Sequence, residues 1–169
     1  DSITNANGSD WKGHGFMIDV DNQVANGLIL GVGAGADWTT VDIDNNGGDA
    51  DITSYTARLY GSWFEGPWHV DAQVGYARNS TDSTRRIPFF GMQADGEWDS
   101  DVYTAALAAG YEIDIGGGWV LDPNAGVDFT HISNNSYEET GAGPFNLSVD
   151  SSEFDSLRSY VGIAIRNDF

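Results

Sequence analysis

A strict two-residue alternation, without any long apolar run, is the feature that most limits what this chain can fold into. From Leu28 to Trp38, Leu28, Leu30, Val32, Ala34, Ala36 and Trp38 share one parity; Ile29, Gly31, Gly33, Gly35 and Asp37 share the other. Strand side chains point to alternate faces, so this segment has one apolar face and one small or polar face. Helical periodicity is nearly absent. The alternation returns at 54–64, where Tyr55, Ala57, Leu59, Gly61 and Trp63 oppose Thr56, Arg58, Tyr60 and Ser62. At 68–78, Trp68, Val70, Ala72, Val74 and Tyr76 oppose His69, Asp71, Gln73, Gly75 and Ala77. Further strands are predicted over 102–115, 119–131 and 157–169, with a weaker first one around His14 to Asp21. Seven segments in all read as strands.

Two details separate a membrane barrel from a soluble sandwich, which would alternate in the same way. Charges sit on the small or polar face, and aromatics collect at the ends of the apolar face. Trp38, Tyr55, Trp63, Trp68, Tyr76, Tyr103, Trp119 and Phe129 all follow this rule. Such a layout matches aromatic girdles flanking a lipid-facing band. The expected fold is therefore all-β: an antiparallel up-and-down transmembrane β-barrel, incomplete or completed by other chains. Mean hydropathy is only −0.32, but alternation hides a barrel from hydropathy, and no stretch approaches the roughly 20 apolar residues of a spanning helix.

Connections alternate in length. Asp21 to Asn26, Glu65-Gly66 and Gly116-Gly117-Gly118 read as tight turns, while 42–52, 80–100 and 133–153 read as long polar loops. Outer-membrane barrels pair short periplasmic turns with longer extracellular loops, which sets the expected orientation. Residues 1–12 read as a polar N-terminal segment and 13–169 as the barrel domain. The start at Asp1, without Met or a signal segment, reads as a processed chain or an excised piece.

Charge narrows the functions. Lys+Arg is 7 against Asp+Glu 26, a formal net charge of −19, which repels phosphate backbones and argues against nucleic-acid binding. Acidity of this kind can signal disorder, but 6 Trp, 7 Tyr and 8 Phe supply ample apolar surface for folding. Cysteine is absent, so neither disulfides nor thiolate metal sites are available.

Longer motifs resemble those of the autotransporter β-domain family. They are Tyr60-Gly61-Ser62-Trp63 followed by Gly66-Pro67-Trp68 and Val70-Asp71-Ala72; Gly75-Tyr76-Ala77-Arg78-Asn79; and Ser83-Thr84-Arg85-Arg86-Ile87. Ala108-Ala109-Gly110-Tyr111 with Gly117-Gly118-Trp119 is similar to the following hairpin. The sharpest match runs from Tyr137-Glu138-Glu139-Thr140-Gly141-Ala142-Gly143 through Asn146-Leu147-Ser148-Val149 to Phe154-Asp155-Ser156-Leu157-Arg158-Ser159. The resemblance covers about 13–166 and implies an outer-membrane barrel that assists export of an attached passenger. It also implies twelve strands around a pore helix, of which this chain would span about the second to the eighth. Implied partners are outer-membrane lipid and the barrel-assembly machinery, with other copies of the chain as candidates for completing the sheet.

Chemical sites are few. Asp42, Asp44 and Asn46 match the opening of a calcium loop, with Asp49 and Asp51 nearby, but Thr53 stands where a closing Glu belongs. A solvated acidic loop is the simpler reading, and no other cofactor is expected. The stretch Asp95 to Asp101 is similar. His14, His69 and His131 lack ligand spacing. Asp71, Glu112, Asp114, Asp122 and Asp128 recur on the polar face with Arg58, Arg158 and Arg166, as a lumen requires, so they do not read as paired catalytic carboxylates. Asn134-Asn135 has the form of an autotransporter cleavage pair but falls in a loop. An enzyme is not expected. The competing expectation is an autotransporter-like sheet subunit that self-assembles by edge pairing into an oligomeric barrel or an extracellular filament.

Overall fold

In a computed structural model, which describes residues 8–45 and 47–167, the chain is one antiparallel meander. Its strands are β1 (Ser9–Ala25), β2 (Leu28–Ile43), β3 (Gly48–Glu65), β4 (Trp68–Ile87), β5 (Met92–Tyr111), β6 (Ile113–Gly116) and β7 (Trp119–Asn134). They are followed by β8 (Tyr137–Glu138), β9 (Ser148–Val149) and β10 (Ser152–Asn167). The sheet order is β1-β2-β3-β4-β5-β7-β10, with β6 continuing β5 along β7 and β8-β9 forming a small separate pair. Sequential neighbours pair throughout, the simplest topology short turns allow.

The predicted parity holds across the sheet. Val32, Leu59, Val74, Leu107 and Val127 fall on one face, as the registers Val32↔Leu59, Leu59↔Val74, Ala72↔Leu107 and Leu107↔Val127 require. Arg58, Asp71, Glu112, Asp128 and Arg158 take the other. In a small soluble domain the large apolar side chains would be buried; here Leu107 is 51% exposed, Val32 55% and Leu59 57%. Among the described residues the buried apolar side chains are the small ones of Ala36, Ala94 and Ala142. An apolar face this open demands an apolar environment.

Strand ends differ from the sequence reading in a consistent way. The segment 80–100 is not a loop: β4 and β5 stay paired in unbroken register from Trp68↔Tyr111 to Ile87↔Met92. The turn occupies only Pro88 to Gly91. Beyond Tyr76 and Tyr103 the outward face of the hairpin turns polar (Arg78, Asp99, Asp101) and the other face, with Ala94, Gly96 and Trp98, is covered by the chain after β7, so the alternation of large apolar residues disappears while backbone pairing continues. For the same reason β2 and β3 reach Ile43 and Gly48, so that the connection is shorter than the loop expected at 42–52. The first turn is likewise shorter than 21–26, since β1 runs to Ala25. That strand begins at Ser9, inside the segment 1–12 read as polar. The predicted strand 102–115 breaks at Glu112. Gly110↔Asn124 and Ile113↔Leu121 place Pro123 across from Tyr111, and proline has no N–H to give the ladder. The last strand starts at Ser152, ahead of the expected 157. Only 133–153 keeps a long irregular connection, itself shortened by β8 and β9.

Candidate functional site: an apolar band, a polar inner face and a lobe at the mouth

Three surfaces carry the molecule's possible functions. The first is the outward apolar face. Trp63, Trp68, Tyr111 and Trp119 lie at its short-turn end, and Trp38, Tyr55, Tyr76, Tyr103 and Phe129 at the other. Rings pair within each belt: Trp68 packs edge-on against Tyr111 at 4.8 Å, and Tyr76 against Tyr103 at 5.2 Å. The belts are 8 residues apart between Trp68 and Tyr76 and 10 between Trp119 and Phe129. At about 3.4 Å per residue and a tilt near 40°, this separates the belts by roughly 20–26 Å, the height of a barrel's apolar band. Charge reappears on this face only beyond the belt. There Arg78 pairs with Asp99 at 2.7 Å and Asp101 at 3.3 Å, and His131 meets Asp155 at 2.8 Å.

The opposite face is polar, and its glycines make room for bridges that span three strands. Asp19, Gly33 and Arg58 are adjacent in register on β1, β2 and β3. The Arg58 guanidinium reaches across Gly33, donating from Nε and Nη2 to the two Asp19 oxygens at 2.8 Å each. A Cβ on Gly33 would collide with the Asp19 carboxylate. One step along, the Tyr60 hydroxyl crosses Gly31 to donate to Asp21 at 3.1 Å. His69 lies over Gly110 with Nε2 3.1 Å from Asp122, and Tyr160 lies over Gly126. Arg158 pairs with Asp128 at 2.9 Å and Arg166 with Glu112 at 2.9 Å. Asp71 accepts from the Ser62 hydroxyl. Asp114 instead caps its own turn, accepting from the Gly116 N–H at 2.8 Å. The carboxylates thus have hydrogen-bonding or ionic partners on the sheet, and the small residues of the alternation are the spaces those partners need.

The third surface is a lobe built on the protruding β4-β5 hairpin. Above Ser100, β5 has left β7 behind, and the chain after β7 covers its exposed edge. The Asn135 N–H donates to the Asp99 carbonyl, and Asp95 and Thr140 exchange both backbone hydrogen bonds at 2.8 Å. Covering the edge removes a row of open donors and acceptors. Glu139 is the keystone, with only 6% of its surface exposed. It accepts from Arg85 Nε at 3.0 Å and Nη2 at 2.5 Å, and from the Leu147 N–H at 2.9 Å. Arg85 also reaches the Phe145 carbonyl at 2.9 Å. The Arg85 guanidinium holds the Glu139 carboxyl below the ordinary carboxylate range; the Leu147 N–H adds to this, and burial opposes it. Stacked rings complete the lobe: Trp98 on Tyr137 at 4.6 Å and Phe90 on Phe145 at 4.5 Å.

These surfaces have a known precedent. The family described as "Autotransporter beta-domain" matches residues 1–169, the whole chain. The chain belongs to the autotransporter β-domain family. Its place is the bacterial outer membrane. YaiT of Escherichia coli (strain K12) is 28% identical over 152 residues, covering 89% of this chain and 15% of that protein. Outer membrane protein A of Rickettsia conorii is 28% identical over 166 residues, covering 91% of this chain and 8% of its own length. The chain therefore spans a small part of the relatives it matches. Among solved structures, the translocator domain of autotransporter NalP from Neisseria meningitidis superposes with a TM-score of 0.79 at 13% identity, over 93% of this chain and 55% of that one. The β domain of the Bordetella autotransporter BrkA gives 0.67 at 14%, over 98% and 65%. At these identities the likeness is one of fold.

Within this autotransporter β-domain, the two motifs that carry most of the resemblance meet. Arg85 of the Ser83–Ile87 stretch and Glu139 of the Tyr137–Gly143 stretch are ion-paired across 54 residues. Alternation gives no hint of that contact, because both lie where it has lapsed; the Trp98–Tyr137 stack was equally hidden. The calcium-loop residues are not gathered. Asp42 is the last but one residue of β2, the Asp44 N–H donates to the Gly8 carbonyl at 2.9 Å, and Asn46 lies outside the described residues. Asp49 pairs with Arg86, and Asp51 accepts from Thr40. Among the described residues no three His, Cys, Asp or Glu side chains are placed to hold a metal ion. Of the histidines, His14 stacks on Trp38 and the other two face aspartates.

Proposed function

We propose that this β-domain is the translocator part of a longer autotransporter: it anchors an attached passenger in the outer membrane and supports the passenger's export and display. The observation that carries the reading is the pairing of an apolar band between two aromatic belts with a bridged polar inner face. A sheet of this kind gives lipid one side and an aqueous path the other. In this reading the short turns are periplasmic, the lobe around Phe89 and Phe145 faces the cell exterior, and the barrel-assembly machinery inserts the chain. The protein works by shape and polarity and carries no catalytic step.

Topology is the test. The 169-residue chain contains no cysteine, so single cysteines report on position. In intact cells producing the full-length protein, Phe89→Cys should react with a membrane-impermeant maleimide, and Gly117→Cys only after the outer membrane is opened. Equal labelling of both would overturn the orientation. A second reading is favoured by the edges: among the described residues, β1 pairs only with β2, and β10 only with β7. Unpaired edges are costly in lipid, so copies of the chain pairing edge to edge would also satisfy them. The mass of the detergent-solubilised particle separates the two, since a self-assembled sheet predicts a multiple of the chain mass.

A further inference from the structure

The lipid-facing band is not uniformly bulky. Ala109 and Ala125 face each other on β5 and β7, one pleat inside the short-turn belt. Taller side chains border this methyl floor: Trp68 and Tyr111 at its belt end, Val161 and Ile163 along its β10 side. The resulting groove holds about 730 Å³, within the range of small-molecule sites. Its floor and walls are apolar, and it opens at the belt where the indole N–H of Trp68 and the hydroxyl of Tyr111 supply donors. Toward mid-membrane, Leu107 and Val127 end the strip of small residues.

We propose that this groove is a binding site for one phospholipid with an amine-bearing, zwitterionic headgroup, its acyl chain lying along Ala109 and Ala125. The proposal rests on the membrane reading above. The groove is continuous with the band that the bilayer covers, so its occupant comes from the bilayer. An acyl chain there lies beside taller side chains instead of on a flat face, so more of its methylene surface touches protein. Against lipid the gain is only that of fit, which is why selectivity falls to the headgroup. At the mouth Glu65 sits across from Trp68 in the β3-β4 register, and Trp68 and Tyr111 offer ring faces. A carboxylate and aromatic rings favour an ammonium and disfavour an anionic headgroup.

The test uses the full-length protein extracted from outer membranes in mild detergent and weighed by native mass spectrometry. One amine-bearing phospholipid per chain should be retained. Ala109→Leu with Ala125→Leu fills the groove with side chains that lipid tolerates, and should reduce retention at least tenfold. Ala57→Leu, an equal change on the same face away from the groove, should leave it intact. Equal retention by the filled variant, or equal retention of phosphatidylglycerol, would overturn the proposal. Tryptophan quenching by vesicles of brominated phosphatidylcholine keeps the two readings apart. Quenching without a retained lipid overturns the groove alone, whereas no quenching and no lipid overturns the membrane reading as well.

Discussion

Leu107→Arg is the substitution that most directly tests whether the outward face meets hydrocarbon. Leu107 is 51% exposed, with Ala72 and Val127 as its cross-strand neighbours. It lies 4 residues from Tyr103 and 4 from Tyr111. At about 3.4 Å per residue with a tilt near 40°, that is roughly 10 Å from either belt, the middle of a band about 25 Å tall. An arginine at such depth costs about 2–4 kcal/mol in a barrel, or roughly 30- to 700-fold in the folding equilibrium at about 1.4 kcal/mol per factor of ten. On a water-facing strand the same change would be nearly neutral, within about 0.5 kcal/mol. Thr104→Arg is the internal control. Thr104 is exposed on the polar face between Gly75 and Thr130, and the acidic inner surface suits a cation. Equilibrium unfolding in urea from lipid vesicles, followed by tryptophan fluorescence and by the heat-dependent gel shift of folded barrels, reads both variants. Equal tolerance at 107 and 104 would refute the membrane assignment, as would a wild-type chain that stays monomeric in plain buffer.

Other consequences follow from the polar face and the lobe. Gly33→Val should break the Arg58–Asp19 bridge by collision with Asp19 and cost about 1–3 kcal/mol, measurable in the same unfolding assay; Gly66→Val, whose site is open in space, tests strain at φ 57° instead. Glu139→Gln should loosen the 137–149 cover by about 1–2 kcal/mol, the low end for a charge-assisted hydrogen bond because the Arg85 side chain is 37% exposed; protease cleavage within 140–147 should rise while the barrel stays folded. The same contact sets a pH dependence. With its folded pKa depressed, Glu139 stabilises the lobe fully above the ordinary carboxylate range, near 4.3, and that contribution is lost as pH falls through the lower folded value. Hydrogen exchange at the Leu147 and Thr140 amides should therefore be protected at neutral pH and lose protection only in strong acid, and protection unchanged there would refute the role given to Glu139.

How much of this was legible in the sequence depends on where lipid begins. Within the belts every alternate residue must be apolar, so Leu30, Leu59, Val74 and Leu107 announced both the strands and their faces. Outside the belts that constraint lapses. Thr81 through Arg86 carry polar residues at both parities, and in Gln93 through Asp99 the polar positions alternate with Ala94, Gly96 and Trp98, so a strand without a lipid-facing row of large apolar residues reads as a loop. The break at Glu112 had a local signal in Pro123, but using it required knowing that Tyr111 stands opposite. The bridges were half visible: the recurrence of Gly31, Gly33 and Gly35 marked a face of small residues, while the partner crossing each gap depends on register. The Arg85–Glu139 pair was not legible at all, since nothing in periodicity joins residues separated by 54 positions. The motifs of the family resemblance flagged both residues without saying that they touch.

The distribution of charge along the strands also bears on how such a sheet is held in place. Glu65, Glu112 and Asp114 are the acidic residues near the short turns, and Arg166 neutralises one of them. Most of the formal charge of −19 lies instead at the inner face and beyond the opposite belt, at Asp49, Asp51, Asp82, Asp95, Glu97, Asp99 and Asp101 among others. A strand end carrying carboxylates cannot re-enter hydrocarbon without a penalty of several kcal/mol per uncompensated charge. The long-strand end therefore resists re-entry, while the short turns of glycine, proline and asparagine, flanked by Glu65 and Asp114, carry fewer charges. Ion pairs at the long-strand end do not relax that resistance. Arg78 with Asp99 and Asp101, and Arg86 with Asp49, leave the group acidic and exposed to water. The same residues that erase the strand pattern from the sequence thus oppose the return of that end into hydrocarbon.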